Sequence, residues 1–150
     1  MRRMVVCAGL LVAQAGFAGV LSITGSLDPT DPNSTFQYFF STAAAGPFVA
    51  QSFGYGGGVN AAGTVIPAGG FDTYLSLFAG SGPDATFAAS ADDGGCPPAG
   101  VDPNCRDSRL AIAALAAGDY VLVVATFGNM SFAENYGSGT LGDGFIGVVS

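Results

Sequence analysis

Apolar residues recur in short segments along this chain, separated by clusters of Gly, Pro, Asn and Asp. Several segments alternate: Leu75 and Leu77 share one face with Thr73, as half-buried β-strands require. The segment Tyr120–Val124 is apolar throughout, which indicates a central strand buried on both faces. The predicted strands are Val20–Gly25, Thr35–Thr42, Phe48–Phe53, Phe71–Ala79, Thr86–Ala91, Arg109–Leu115, Tyr120–Phe127 and Phe145–Val149.

These segments predict an all-β fold. The best helical candidate is the alanine-rich segment Leu110–Ala117, but Gly118 and Asp119 follow it as a tight turn into a clear strand, which favours a hairpin. About eight short strands with turns between them are typical of an antiparallel, jelly-roll-like β-sandwich. The glycine-rich segment Gly54–Gly70 is predicted to be a long surface loop, with the option of folding back onto a sheet edge.

The N-terminus has the pattern of a secretory signal peptide. A basic start is followed by an apolar run from Met4 to about Val20, with the small residues Gly16 and Ala18 at a cleavage position. A retained membrane anchor is the alternative, but the run is short for a span of about 20 residues. We therefore expect residues 1–18 to be a leader and residues 19–150 to form a single exported domain, at the cell surface or secreted, with no transmembrane segment after leader removal.

Charge narrows the classes of partner and of chemistry. The net charge is −7, and after leader removal the only cations are Arg106 and Arg109, so nucleic acid is a poor partner. The chain has no His and no Lys, which excludes His-based triads, His-ligated metals and Schiff-base chemistry. Carboxylate chemistry remains, as in glycoside hydrolysis, and Glu134 with Asp143 is the pair to consider. The sequence favours the alternative, in which those two residues belong to a long polar loop between the last two predicted strands.

Two cysteines remain after leader removal, Cys96 and Cys105. An even pair in an exported chain predicts a disulfide. Closing so short a loop contributes about 2–3 kcal/mol in the chain-entropy model. A zinc site fits less well because two thiolates lack the further ligands that complete such sites.

The segment ADDGGCPPAGVDPNCRDS concentrates carboxylates around this cysteine pair. Asp92 and Asp93 lie just before Cys96, and Asp107 lies just after Cys105, so a disulfide would draw them together. Gathered carboxylates repel one another, and Ca²⁺, which prefers six to eight oxygen ligands, would remove that repulsion. The alternatives are ion pairs with the two arginines or ordinary turn residues, and no EF-hand spacing is present.

Four motifs carry a family resemblance: GGFDTYLSLF, ADDGG, DSRL and LAAGDYVLVV. Together they resemble the pre-peptidase C-terminal type of secreted bacterial domain, and more closely a group of exported proteins that often carry a C-terminal Pro-Glu-Pro sorting anchor. The resemblance spans about Leu21–Val149 and implies a small β-sandwich without a catalytic role, in several cases with calcium near a loop edge. It also implies that Asp72 faces the same end of the sandwich as Asp92 and Asp93, which makes Asp72 the fourth predicted calcium ligand.

The sequence as a whole predicts a non-catalytic exported β-sandwich, stabilised by Ca²⁺ and structural or adhesive at the cell surface or in the extracellular matrix. Its expected partners are extracellular polysaccharide or a surface protein. An alternative is a carbohydrate-binding module that uses the aromatic residues Tyr55, Phe132 and Tyr136. A carboxylate-based glycoside hydrolase is the third hypothesis.

Overall fold

The computed structural model describes residues 6–11, 13–14, 17–28, 30–135 and 137–147, and strands dominate them. The strands are β1 (Val6–Leu11), β2 (Ala13–Gln14), β3 (Phe17–Ala18), β4 (Leu21–Gly25), β5 (Phe36–Thr42), β6 (Gly46–Ser52), β7 (Gly58–Val59), β8 (Val65–Ile66), β9 (Thr73–Ala79), β10 (Thr86–Ala91), β11 (Gly94–Gly95), β12 (Asp107–Leu115) and β13 (Gly118–Thr126). The helical elements are α1 (Phe132–Asn135) and a 3₁₀ turn over Leu141–Asp143.

Two antiparallel sheets form the body of the fold. The first sheet has the order β11-β12-β6-β1-β4, and the second has the order β10-β9-β13-β5. Two short hairpins, β2-β3 and β7-β8, complete the described strands. The predicted all-β, sandwich-like class is therefore confirmed.

The main core lies where the two sheets face each other. Alternation of side chains turns Leu75 and Leu77 of β9 inward against Phe48 and Ala50 of β6, and all four are at most 2% exposed. Phe40 stacks on Phe48 with ring centroids 5.2 Å apart. The remaining core members are Leu110, Leu115, Tyr120, Leu122 and Val124.

Strand β13 is buried on both faces, as its continuous apolar sequence predicts. Its residues Val121 and Val123 belong to a second apolar cluster with Phe78, and Leu141 and Phe145 pack against that cluster from the C-terminal segment. Ala133, Leu141 and Phe145 therefore cover the outer face of the second sheet. This cover places α1 close to the end of the sheet where the acidic residues lie.

Seven of the eight predicted strands correspond to β4, β5, β6, β9, β10, β12 and β13. The predicted last strand is wrong over its described part, because Phe145 makes only an isolated bridge to Ser131, and residues 148–150 lie outside the described residues. The expected surface loop Gly54–Gly70 is also partly wrong: Gly54 and residues 56–58 are buried. The strand predicted over Arg109–Leu115 in preference to a helix is confirmed, but the predicted β12–β13 hairpin is wrong, because β12 pairs with β6 in the first sheet while β13 pairs with β5 and β9 in the second.

The described part of the predicted leader includes β1, which pairs with β4 on one side and β6 on the other. Residues 1–5, 12, 15 and 16 lie outside the described residues, so leader removal stays a prediction. Among the described residues, no helix is both long enough and apolar enough to span a membrane.

Candidate metal centre

One end of the second sheet gathers three aspartates from two neighbouring strands. Asp72 comes directly before β9, and Asp92 and Asp93 directly follow β10. Since β9 and β10 are antiparallel, with Ala91 opposite Leu75, the start of one strand lies beside the end of the other. One carboxylate oxygen from each aspartate lies within 4.8 Å of the other two. The structure thus brings together three of the four predicted ligands, which we call the aspartate cluster.

Two oxygens of the aspartate cluster are buried without a donor. The Oδ1 atoms of Asp72 and Asp92 are shielded from solvent, and neither has a hydrogen-bond partner within the described residues. An unsatisfied buried acceptor costs about 1–3 kcal/mol, and more when it is charged. Buried polar atoms of this kind are normally paired with a donor, an ordered water or an ion. A cation between the carboxylates would satisfy both oxygens at once.

Burial and mutual repulsion raise the pKa values of two members of the aspartate cluster, Asp72 and Asp92. Burial is the main cause of the raised pKa of Asp72; the charge of Asp93 adds to it, while Arg106 acts in the opposite direction. Burial also raises the pKa of Asp92, followed by the charges of Asp93, Asp72 and Glu134. Both causes disfavour the ionised carboxylates in the chain alone. A bound divalent ion would reverse that preference because it favours the ionised forms.

The donor chemistry of the aspartate cluster fits a hard cation. Its three residues offer carboxylate oxygens alone, and the chain contains no His. Ca²⁺ accepts six to eight oxygens in flexible geometry, and three carboxylates supply between about three and six of them. Asp93 is exposed, so water or a ligand hydroxyl can reach the remaining positions from that side. Mg²⁺ fits less well because it demands octahedral geometry and dehydrates reluctantly.

Asp107, the fourth predicted ligand, lies outside the cluster. It is 1% exposed, and its carboxylate accepts hydrogen bonds from the Ser52 hydroxyl at 2.9 Å, from the Tyr55 backbone N–H at 3.1 Å and from the Gly56 backbone N–H at 2.8 Å. The group of carboxylates close enough to share an ion does not include it. Its oxygens already have donors, so the structure gives Asp107 a different place from the one its sequence position predicts.

The cysteine pair lies as predicted. Cys96 and Cys105 form a disulfide with Cα atoms 4.6 Å apart. The bridge closes the loop between β11 and β12, where Gly94 pairs with Ser108 and Gly95 with Asp107. The Gly94 N–H also donates to the Cys105 carbonyl at 3.0 Å. The disulfide therefore fixes the segment that directly follows Asp92 and Asp93.

The two arginines do not neutralise the cluster through close contacts. Arg106 pairs with Asp102 at 3.6 Å, and its guanidinium lies 4.5 Å from the centroid of the Tyr55 ring. Within the described residues neither arginine forms an ion pair with Asp72, Asp92 or Asp93. Arg109 is exposed and lines a cavity of about 380 Å³ together with Gln51, Phe53 and others. The ion-pair alternative predicted for Asp92, Asp93 and Asp107 is therefore not what the structure shows.

The structure describes two of the three predicted sugar-binding aromatics, and both are partly covered. Arg106 covers one face of the Tyr55 ring and hydrogen-bonds to its hydroxyl. Phe132 is half-buried at the start of α1, and Tyr136 lies outside the described residues. Sequence reasoning missed Phe127, which is 53% exposed and donates its backbone N–H to the Asp72 carbonyl at 3.0 Å. Its exposure beside an acidic strand start could not be predicted from an apolar strand end.

A second group that sequence reasoning missed lies next to the cluster. The hydroxyl of Tyr74, which is 2% exposed, hydrogen-bonds to Glu134, and the Ser90 hydroxyl donates to the same carboxylate at 2.7 Å. Burial and the bond to Glu134 raise the pKa of Tyr74 to about 12. The charge of Glu134 reaches Asp92, as the raised pKa of that residue shows. Alternation along β9 places Tyr74 on the same face as Asp72, which is the signal that could have found it.

The carboxylates of Glu134 and Asp143, the predicted hydrolytic pair, hydrogen-bond to different sets of residues. Asp143 accepts the backbone N–H groups of Gly139 and Thr140, both at 2.9 Å, and also bonds to the Ser138 hydroxyl. The Thr140 N–H is the main cause of the lowered pKa of Asp143. A general acid needs a raised pKa, so this environment does not favour that role for Asp143.

No family model matches this chain, and neither does any curated protein or any solved structure. The resemblance to pre-peptidase C-terminal domains therefore depends on the quoted motifs alone and stays a prediction.

Proposed function

We propose that this chain is a non-catalytic exported domain that binds Ca²⁺ through Asp72, Asp92 and Asp93. The observation that carries the proposal is the pair of buried carboxylate oxygens, Oδ1 of Asp72 and Oδ1 of Asp92, that lack donors while a third carboxylate lies within 4.8 Å. Asp107 is left out of the ligand set because its oxygens are already hydrogen-bonded.

The ion would act as a structural link. It would join the start of β9 to the end of β10, and the disulfide between Cys96 and Cys105 continues that link to β12. Three negative charges become nearly balanced by one divalent ion, so repulsion turns into attraction. A sandwich held in this way suits a structural or adhesive role outside the cell, where calcium is plentiful and disulfides persist.

Export is supported by two features of the chain. The N-terminal residues have the basic, apolar and small-residue order of a leader. A disulfide beside the cluster is typical of an oxidising compartment. We infer that the mature domain is secreted or held at the cell surface.

Thermal melting in calcium and then in chelator tests the calcium site. At a free calcium concentration about 100 times Kd, the ion should stabilise the fold by about 2.7 kcal/mol, which raises Tm by several degrees. The variant Asp93→Asn should lose most of this shift. The matched control is Asp84→Asn, because Asp84 is exposed and lies outside the cluster. A wild-type Tm that does not respond to calcium contradicts the proposal.

Carbohydrate binding at the same ion is the second candidate function, and Phe127 favours it. Its N–H bond to the Asp72 carbonyl extends the β13–β9 pairing, so the two side chains project from the same face of the sheet. An exposed ring beside an ion with open coordination positions can stack on a sugar whose hydroxyls bind the ion.

Glycan binding in calcium and in chelator tests this second function. Phe127→Ala should abolish calcium-dependent binding to immobilised neutral polysaccharides while leaving the calcium shift in Tm unchanged. Phe39→Ala is the matched control, because Phe39 is 58% exposed on β5, an edge strand of the same sheet. Equal binding by the wild type and Phe127→Ala, or no binding by the wild type, rejects it.

A further inference from the structure

Asp107 lies outside the aspartate cluster and is held by hydrogen bonds of its own. It is 1% exposed and accepts hydrogen bonds from one hydroxyl and two backbone N–H groups, while the ion pair formed nearby joins Arg106 to Asp102 instead. A buried carboxylate is expensive unless hydrogen bonds compensate it. The segment that supplies both N–H groups, residues 54–58, is therefore held against Asp107.

That segment, the glycine loop, is bonded in turn to the residues before Asp72. The Gly54 carbonyl accepts the Gly70 N–H at 2.8 Å, and the Tyr55 carbonyl accepts the Gly69 N–H at 3.1 Å. A Cβ at residue 70 would lie 2.4 Å from the Gly54 carbonyl oxygen, so only glycine permits this approach. One path of bonds thus runs from Asp107 through the glycine loop to within two residues of Asp72.

A second path runs through buried hydroxyls. The Ser52 hydroxyl donates to Asp107 at 2.9 Å, so the Thr73 hydroxyl, which lies 2.7 Å from the Ser52 hydroxyl, donates to Ser52. The Ser108 N–H donates to the hydroxyls of Ser52 and Thr73. The Ser108 hydroxyl lies 2.6 Å from the Asp92 carbonyl and also reaches the Thr73 carbonyl. Asp107 therefore orders a row of hydroxyls that ends at the backbone of Asp92 and of the residue after Asp72.

We propose that Asp107 is a positioning residue of the calcium site. Through the glycine loop and the buried hydroxyls it sets where the carboxylates of Asp72 and Asp92 lie, and it does not touch the ion. This role rests on the proposed calcium site. Partners of this kind, which hold the ligands of a metal, typically change metal affinity about 10- to 100-fold when they are altered.

Terbium luminescence separates a ligand from a positioning residue. Tb³⁺ is a hard cation that takes calcium-type oxygen sites, and its lifetimes in H₂O and D₂O report how many waters it coordinates. Asp93→Ala, which removes a ligand, should weaken Tb³⁺ binding and add a coordinated water. Asp107→Asn should weaken Tb³⁺ binding about 10- to 100-fold with an unchanged number of waters, because all three ligands remain.

A second variant protects the test if Asp107→Asn fails to fold. Gly70→Ala alters no carboxylate but forces residue 70 away from the Gly54 carbonyl, so it should also weaken binding without adding a water. Asp84→Asn is the control for a lost charge and should bind as the wild type does. An added water in Asp107→Asn makes Asp107 a ligand and overturns the proposal. Unchanged affinity in Asp107→Asn or in Gly70→Ala overturns it as well. A wild type that binds no Tb³⁺ rejects the calcium site itself, and the positioning role with it.

Discussion

The aspartates in the loops and those of the aspartate cluster differ in their hydrogen-bond donors and in the direction of their pKa shifts. Asp102 accepts N–H groups from Arg106 at 2.8 Å and from Asn104 at 3.1 Å, and Asp143 accepts two N–H groups from its own turn. These bonds lower the pKa of both carboxyl groups, and at Asp102 the bond from the Arg106 N–H has the largest effect. Asp72 and Asp92 each have one buried oxygen with no donor in the described part of the chain, and their pKa values are raised.

The difference follows from where backbone N–H groups are free. A turn leaves N–H groups unpaired, so an aspartate within it can bind them through its own carboxylate. At a strand end the backbone is already committed to the sheet: Phe127 donates to the Asp72 carbonyl and Arg109 to the Asp93 carbonyl. Asp72 and Asp92 lie at such ends and therefore depend on something outside the chain. The turn aspartates therefore satisfy backbone N–H groups of the chain itself, whereas the cluster aspartates are arranged to bind an ion.

Replacing Asp92 by Asn should have the largest effect. In calcium the variant should lose the stabilisation of about 2.7 kcal/mol that a concentration 100 times Kd supplies. In chelator its free energy of unfolding should exceed that of the wild type by about 1 kcal/mol after solvent screening, so it should unfold at a higher denaturant concentration. The reason is that one repelling charge is gone and an amide can donate to Asp72. Urea unfolding in both conditions measures the two shifts.

The control for Asp92→Asn is Asp143→Asn, which removes one charge from a turn. It should leave the response to calcium intact and should destabilise the protein in chelator, because the side chain loses an acceptor for its own turn. If both variants shift stability in the same direction in chelator, the contrast between cluster and turn is wrong.

The cluster aspartates and the turn aspartates should contribute to stability with opposite dependences on pH. For Asp72 and Asp92 the folded pKa is raised above the ordinary value of 3.8, so their contribution is fully present below 3.8 and is lost as pH rises through the folded values. For Asp102 and Asp143 the folded pKa is lowered, so their contribution is present above 3.8 and is lost as pH falls.

Urea unfolding over a pH series in chelator separates these contributions. The stability of the wild type relative to Asp92→Asn should improve as pH falls toward 3.8, whereas its stability relative to Asp143→Asn should decline. In calcium the first trend should reverse, because protons then compete with the ion for the carboxylates. Parallel pH curves for the two differences would contradict the assigned surroundings.

Much of the fold was predictable because a single local rule governs it. Alternation in Thr73–Ala79 correctly predicts that Leu75 and Leu77 face the core, although β9 is buried on both faces rather than on one. Continuous apolarity in Tyr120–Val124 correctly predicts a strand buried on both faces. The cysteine pair was predictable from spacing and count. The last predicted strand was not, because Phe145 is apolar for another reason: it packs over the outer face of the second sheet.

The site was predictable in part for the same reason. Asp92 and Asp93 were found from their position before Cys96, and Asp72 from the family resemblance. Asp107 was placed among them because a disulfide brings its backbone near. Its side chain is instead covered by a glycine loop about 50 residues earlier in the chain, with a Tyr55 N–H and a Gly56 N–H as donors. Local spacing carries no information about such a long-range cover.

Replacing Arg106 by Gln should have the smallest effect. It tests the contrast between the aspartate cluster and the loop aspartates, because Arg106 pairs with Asp102 and its charge also acts on Asp72. Arg106 is held away from the cluster by Asp102 and the Tyr55 ring, yet its charge still lowers the pKa of Asp72. A fixed positive charge near the site repels a cation, so the variant should bind calcium about two- to fivefold more tightly, as expected for a screened interaction near 1 kcal/mol. The gain should shrink as salt is raised.

Arg109→Gln is the matched control and should leave affinity unchanged, since Arg109 does not contribute to the pKa shift of Asp72 or Asp92. Calorimetry at two salt concentrations measures both variants, and a weaker affinity in Arg106→Gln would mean that Arg106 supports the cluster by holding the loop rather than opposing the ion by its charge.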